Sequence, residues 1–175
     1  MTTFFAGVRK GDAVLAALLT ALGVVLMVAD IISDPDPALR MDSRSWFMIP
    51  VFAAATLPIL WRRRSLVLVY AVTLAAMGIH VLAFGWTVRC GAGLPLSFAL
   101  AYAAGKLAKG WPAVLGLAAT VAVQAIVLVK DSAAGLEIIP FTALIAAVVW
   151  GIGIGLRRRT ITTTAGPADP VKSYA

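Results

Sequence analysis

The chain is poor in charged residues and in the side chains that most often bind metals. Only 13% of its 175 residues are Asp, Glu, Lys or Arg, and it has one cysteine and one histidine. A lone cysteine, Cys90, excludes an intrachain disulfide and a CxxC pair. A lone histidine, His80, excludes the HExxH motif, and no pair of carboxylates stands at membrane depth. We therefore expect no metal ion, no cofactor and no catalytic constellation.

Most of the chain consists of long apolar runs. Hydrophobic residues make up 61% of the chain, with a mean hydropathy of +0.95, whereas soluble domains contain about 45–50%. Polar residues fall in short segments between these runs, a pattern that predicts an all-α integral membrane protein, a bundle of about six transmembrane helices. The predicted spans are 13–32, 46–60, 66–84, 94–105, 112–129 and 140–156.

The fourth predicted span is shorter than the roughly 20 residues that a perpendicular helix needs to cross hydrocarbon. Three interpretations remain open for it. It starts earlier, near Val88; it is re-entrant; or its neighbours shield it from lipid.

The loops predict the orientation, because short cytoplasmic loops of membrane proteins are enriched in Lys and Arg. With six spans, eleven of the fifteen basic residues fall on the side that holds both termini. We therefore expect a multi-pass protein of the bacterial inner (plasma) membrane, with residues 1–159 as the transmembrane domain and 160–175 as a disordered cytoplasmic tail. The basic residues on that side are Arg9, Lys10, Arg62, Arg63, Arg64, Lys106, Lys109, Arg157, Arg158, Arg159 and Lys172.

The net charge of +7 does not indicate nucleic-acid binding. The basic residues separate hydrophobic segments and form no surface stripe interleaved with aromatic residues. The lipid bilayer is the expected partner. For Arg62 to Arg64 and Arg157 to Arg159 we expect a topological role at the membrane interface, with contact to phospholipid head groups as the alternative for the first group.

Ionisable and amide side chains at membrane depth are the candidate sensing or ligand residues, because they are costly there. His80, in the third span, is the only side chain in the spans that titrates near neutral pH, and Gln124 of the fifth span could face it across a helix pair. Ser97 is the one serine that could pair with His80 as a nucleophile, but no GxSxG motif surrounds it.

The first outer loop carries a second group of candidates. Asp30, Asp34 and Asp36 precede Arg40 in a segment of mixed charge. A cation site would need three or more converging oxygen ligands, and a solvated connector is the alternative.

Two glycines in the last span have the spacing of a helix-packing motif. Gly151 and Gly155 form a GxxxG sequence inside an apolar run, which permits close helix approach in membranes. We expect them to pack inside the bundle, with a homodimer face as the alternative.

The order of these features is similar to a known arrangement. A basic arm RKGD (9–12) leads into an apolar first span, and LPILWRRR (57–64) ends the second span in an arginine cluster. LSFALAYAA (96–104) forms the short fourth span, and VWGIGIGLRRR (149–159) ends the last. This resembles the N-terminal multi-span sensor region of bacterial two-component sensor histidine kinases.

The resemblance implies a signalling role, but the kinase core is missing. Only residues 160–175 follow Arg159, and none is a histidine, so we expect no kinase activity. We expect a non-catalytic sensor module, stand-alone or truncated from a histidine-kinase-like protein, acting through a cytoplasmic kinase or another membrane protein. A small transporter or channel subunit and a membrane enzyme acting on a lipid are the alternatives.

Overall fold

The computed structural model describes residues 8–34 and 38–164, with side chains to residue 159. In the described part the only β-type pairing is an isolated bridge between Thr87 and Asp131, so the predicted all-α class is confirmed. The helices are α1 (Lys10–Ile32), α2 (Met48–Thr56), α3 (Leu66–Phe84), α4 (Cys90–Leu107), α5 (Trp111–Leu128) and α6 (Ile139–Thr164), and short 3₁₀ segments cover Leu57–Trp61 and Leu136–Ile138.

Four helices are long and apolar enough to cross a membrane, as expected for a membrane protein. They are α1, α3, α5 and the segment Leu136–Arg159, with hydropathies between 1.9 and 2.5. The apolar segment Met48–Trp61 is shorter, and α4 does not meet the same measure. The six predicted spans thus correspond to six helices, four of which have the length and hydropathy of a complete span.

The weak hydropathy of α4 follows from its place in the bundle. This helix contacts α1, α3, α5 and α6, and its buried residues are mostly alanine, glycine and leucine. Because neighbouring helices cover most of α4, little of its surface is left to face lipid. The helix therefore does not need large apolar side chains along its length. It begins at Cys90, so the early start and the shielding considered for the fourth span both apply.

The second predicted span changes helix type at its proline. Pro58 lies at the start of the 3₁₀ segment Leu57–Trp61, since a proline cannot donate the backbone hydrogen bond that would continue an α-helix. The chain then turns, and Ser65 caps α3 by accepting a hydrogen bond from the Leu68 N–H to its Oγ at 3.2 Å. This turn places Arg62 and Arg63 beside Asp12 in the first turn of α1.

The closest helix packing lies between α4 and α6, at glycines other than those predicted. A Cβ on Gly105 would overlap the carbonyl oxygen of Trp150, and one on Gly153 would lie 2.7 Å from the Tyr102 carbonyl oxygen. The prediction that Gly151 and Gly155 pack inside the bundle is wrong, because both are exposed and a Cβ on either would meet nothing within 4 Å. Every second residue from Gly151 to Gly155 is a glycine. The rotation of α6 about its axis places Gly153 against α4 and turns the other two away.

The last helix continues past the predicted boundary at residue 159 and ends at Thr164. The remainder of the predicted tail, residues 165–175, lies outside the described residues, as does Asp36 of the first outer loop.

Candidate functional site

Four ionisable residues are buried together at one end of the bundle, and we call them the polar cluster. Asp30 comes from the last turns of α1, His80 from α3, Arg89 from the residue preceding α4, and Asp131 from the loop after α5. Their exposed fractions are 8%, 0%, 0% and 3%. Charged side chains are almost never buried this deeply unless they are paired, so their contacts determine what the cluster can do.

Arg89 occupies the centre of the polar cluster. Its Nε donates to His80 Nδ1 at 3.0 Å, its Nη1 donates to the Lys130 carbonyl at 2.8 Å, and its Nη2 donates to the Gly85 carbonyl. Burial lowers the pKa of Arg89 to about 10, although Asp131 opposes that shift. The guanidinium therefore remains positively charged at neutral pH, with all three nitrogens in hydrogen bonds.

Asp131 fixes the start of α4. Its Oδ2 accepts the backbone N–H groups of Arg89 at 2.6 Å and Cys90 at 2.7 Å. Its Oδ1 accepts those of Ala133 at 3.0 Å and Ala134 at 2.9 Å. A carboxylate at a helix N-terminus satisfies free donors and complements the helix dipole. Asp131 thus joins the α5–α6 loop to the beginning of α4.

His80 has one bonded and one unbonded ring nitrogen. Because Nδ1 accepts from Arg89, the ring is neutral and its proton lies on Nε2. Among the described residues no hydrogen-bond partner reaches His80 Nε2 or the hydroxyl of Thr87, although both atoms are buried. Phe52 and Phe84 contact the ring edge-on, with centroids 5.7 and 4.9 Å away. A buried N–H without an acceptor is costly, so an acceptor that reached Nε2 would stabilise this arrangement.

Neighbouring loops cover the polar cluster. Asp30 Oδ2 accepts the Val88 N–H at 3.1 Å, which ties α1 to the segment before α4. Asp42 exchanges two hydrogen bonds with the backbone of Trp86, at 2.9 and 3.2 Å. Three separate connections therefore meet over the ends of α1 and α3.

Of the other candidates in the loop after α1, Asp34 and Arg40 do not join the polar cluster. Asp34 is exposed. Arg40 pairs with Asp42 at 3.4 Å and lies over the Trp86 ring, 5.2 Å from its centroid. Within the described residues no group of three His, Cys, Asp or Glu side chains is arranged to hold a metal ion.

Gln124 belongs to a different buried group. Its Nε2 donates to Ser97 Oγ and to the Thr142 carbonyl, both at 3.2 Å, and its Oε1 accepts from the Thr142 hydroxyl at 3.3 Å. The pairing of His80 with Gln124 that the sequence suggested is therefore wrong, and Ser97 is bonded to Gln124 instead of to the histidine. Gln124 holds α4, α5 and α6 together.

Arg89 and Asp131 were not among the candidates that the sequence suggested. One available signal was that Arg89 is one of only four basic residues on the side of the predicted topology where positive charge is rare. Their pairing joins residues 42 positions apart, and no local pattern indicates it.

A second ionic group lies at the opposite end of the bundle. The Asp12 side chain is fully buried and binds Arg62 through Nε at 2.8 Å and Nη2 at 2.6 Å. Arg63 Nε contacts its other oxygen at 2.7 Å. Nearby, Arg157 donates to the carbonyls of Gly105 and Ala108 at the end of α4, where a cation complements the helix dipole. These arginines thus bind particular helices in addition to carrying the charge on which the topology prediction rests.

Comparisons with protein-family models, with curated proteins and with solved structures gave no match to this chain. The polar cluster is therefore the feature from which its function is inferred.

Proposed function

We propose that this chain is a non-catalytic sensor module of the bacterial inner membrane, with six spans and both termini in the cytoplasm. The polar cluster receives the signal on the outer side, and α6 carries the response toward a cytoplasmic kinase or another membrane protein. The observation that supports this proposal most directly is the hydrogen bond from Arg89 to His80, with the unbonded Nε2 beside it.

A change at His80 would break or weaken this hydrogen bond. A ligand bound to Nε2 would change the position of the ring and with it the Nδ1 acceptor. That change would act on Arg89, the residue from which α4 starts. Asp30 on α1 and Asp131 on the α5–α6 loop are the charged groups that face this pair. Switches of this kind need a bistable packed element.

The packing of α4 on α6 offers a route for the response. The two helices are in backbone contact at Gly105 and Gly153, so a shift of α4 cannot be absorbed by flexible side chains between them. Movement at the start of α4 is therefore transmitted to α6, the helix that leaves the bundle at the other end.

The other buried polar side chains favour a sensor over a transporter or channel subunit. Thr20 bonds Thr56 at 2.8 Å, and Tyr70 bonds Thr120 at 2.8 Å. Each pair joins two helices, which is the usual role of such groups in membrane packing. A lipid-acting enzyme is disfavoured because Nδ1 of His80 is occupied by Arg89 and the hydroxyl of Ser97 is bonded to Gln124.

The proposed topology predicts where fused reporters are active. A reporter active only in the cytoplasm should function when it is fused after Lys172, because the basic loops retain that side. A reporter active only outside should function when it is inserted within residues 38–42. Activity of the C-terminal fusion exclusively outside the cytoplasm would reverse every loop assignment.

The sensor proposal predicts that breaking the Arg89–His80 bond moves α6. In a Cys90→Ala background, spin labels at Val14→Cys and Ile152→Cys would report the distance between exposed positions of α1 and α6. We expect His80→Ala to shift this distance distribution, because it removes the acceptor of the Arg89 Nε hydrogen bond.

Thr73→Val is the matched control. Thr73 lies on the same helix as His80 and donates to the Ala55 carbonyl at 3.0 Å, so its loss removes a buried hydrogen bond without touching the polar cluster. The sensor proposal fails if His80→Ala lowers thermal stability but leaves the label distance at the wild-type value.

A further inference from the structure

An open groove lies between α1, α4 and α6, at the end of the bundle that carries Asp12. Its volume is about 450 Å³. Its walls are mainly apolar or aromatic and comprise Gly11, Leu15, Phe98, Ala99, Tyr102 and Val149. A surface of this kind at the edge of a bundle accommodates a hydrocarbon chain.

A small basic cleft continues from this groove, because Arg62 and Tyr102 line both. The cleft has a volume of about 30 Å³ and also contains Arg63 and Lys106. Lys106 Nζ donates to the Tyr102 hydroxyl at 2.9 Å. The cleft thus joins the loop before α3 to the last turn of α4.

The cations of this basic cleft exceed the acid that neutralises them. Asp12 accepts from Arg62 and from Nε of Arg63, so one carboxylate serves two guanidinium groups while Lys106 adds a third positive charge. Among the described residues, the two terminal nitrogens of Arg63 contact no acceptor, and its side chain is 30% exposed. Free guanidinium N–H groups of this kind bind phosphate oxygens well.

We propose that the groove and the basic cleft together form a binding site for one anionic phospholipid. The phosphate oxygens bind Arg63 and Lys106, and one acyl chain lies along Leu15, Phe98 and Val149. Basic pockets between transmembrane helices recognise lipid head groups through this combination of charge and hydrocarbon contact. The bound lipid bridges α1, α4 and α6.

The basic cleft is too small to recognise a whole head group, so its specificity rests on charge. A water molecule needs about 10–15 Å³ of such space, so 30 Å³ admits phosphate oxygens and leaves the rest of the head group outside. The site therefore selects on net charge. Phosphatidylglycerol and phosphatidic acid should both bind, whereas the choline cation of phosphatidylcholine opposes the positive side chains.

Native mass spectrometry of the full chain in neutral detergent tests this site. With equal amounts of phosphatidylglycerol and phosphatidylcholine added, we expect a single phosphatidylglycerol adduct to dominate. The double substitution Arg63→Gln and Lys106→Gln should reduce its occupancy about tenfold or more. Ala99→Trp, which fills the groove and leaves every cation in place, should also displace the lipid.

The double substitution Lys10→Gln and Lys109→Gln is the control, because it removes the same charge from exposed positions near the same end. It should retain the adduct. An equal loss in this control would mean diffuse attraction to the basic surface and would overturn the proposal. Displacement of the lipid by excess inorganic phosphate, or retention of the adduct by Ala99→Trp, would also overturn it. Melting of each variant in phosphatidylcholine nanodiscs checks that it is folded.

Discussion

Asp131→Ala should lower the free energy of unfolding by roughly 3–5 kcal/mol, because each buried donor left without an acceptor costs about 1–3 kcal/mol. The substitution leaves four backbone N–H groups without their acceptor, two at the start of α4 and two in the α5–α6 loop. It also removes the opposing charge that acts most strongly on the buried Arg89. Chemical denaturation in mild detergent would measure the change.

Two further substitutions make the test of Asp131 specific. Asp131→Asn keeps one acceptor oxygen, so it should lower the free energy of unfolding by less than Asp131→Ala does. Glu137→Ala removes an exposed acid from the same loop and should change stability by less than about 0.5 kcal/mol, as expected of an exposed site. If Asp131→Ala were as mild as Glu137→Ala, the carboxylate would not be the group that anchors α4.

Gly105→Ala should separate α4 from α6. Overpacking a core typically lowers the free energy of unfolding by roughly 1–3 kcal/mol, and we expect a loss at the upper end of that range or beyond it. The added Cβ would overlap the carbonyl oxygen of Trp150. Because that atom belongs to the backbone, no side-chain rotation can relieve the overlap. Thermal unfolding in detergent would measure the loss, and in the spin-label experiment the label distance should increase.

Gly151→Ala is the matched control, on the partner helix of the same contact. A Cβ there meets nothing within 4 Å, and alanine favours a helix more than glycine does. We therefore expect no loss of stability. A cost at Gly151 similar to that at Gly105 would indicate that Gly151 also packs closely, on a second copy of the chain, and would revive the homodimer alternative.

The two proposed sites act on the same helices from opposite ends. The polar cluster determines where α4 begins, and the lipid site bridges α1, α4 and α6 near the point where α4 ends. A bound anionic lipid would therefore oppose any shift of α4 that starts at His80. Lipid composition would then alter the sensitivity of the proposed response without contributing to the polar cluster itself.

The sequence by itself determined the helical class and the approximate position of every helix. Long apolar runs separated by basic turns permit few other structures, because a lipid environment requires each spanning segment to satisfy its own backbone hydrogen bonds. The predicted third span, 66–84, matches α3 (Leu66–Phe84), and Pro58 marks the change of helix type in the second. These features depend on residues that are close together along the chain.

The tertiary structure alone decided which polar residues meet and which glycines pack. Arg89 and Asp131 lie at the ends of different helices, and His80 bonds an arginine in the next loop instead of Gln124. Gly153 packs while Gly151 and Gly155 face outward, because the rotation of α6 is fixed by its contact with α4. Hydropathy records how deep a residue lies in the membrane, but not the direction in which its side chain points around the helix axis, and that direction determines the contacts.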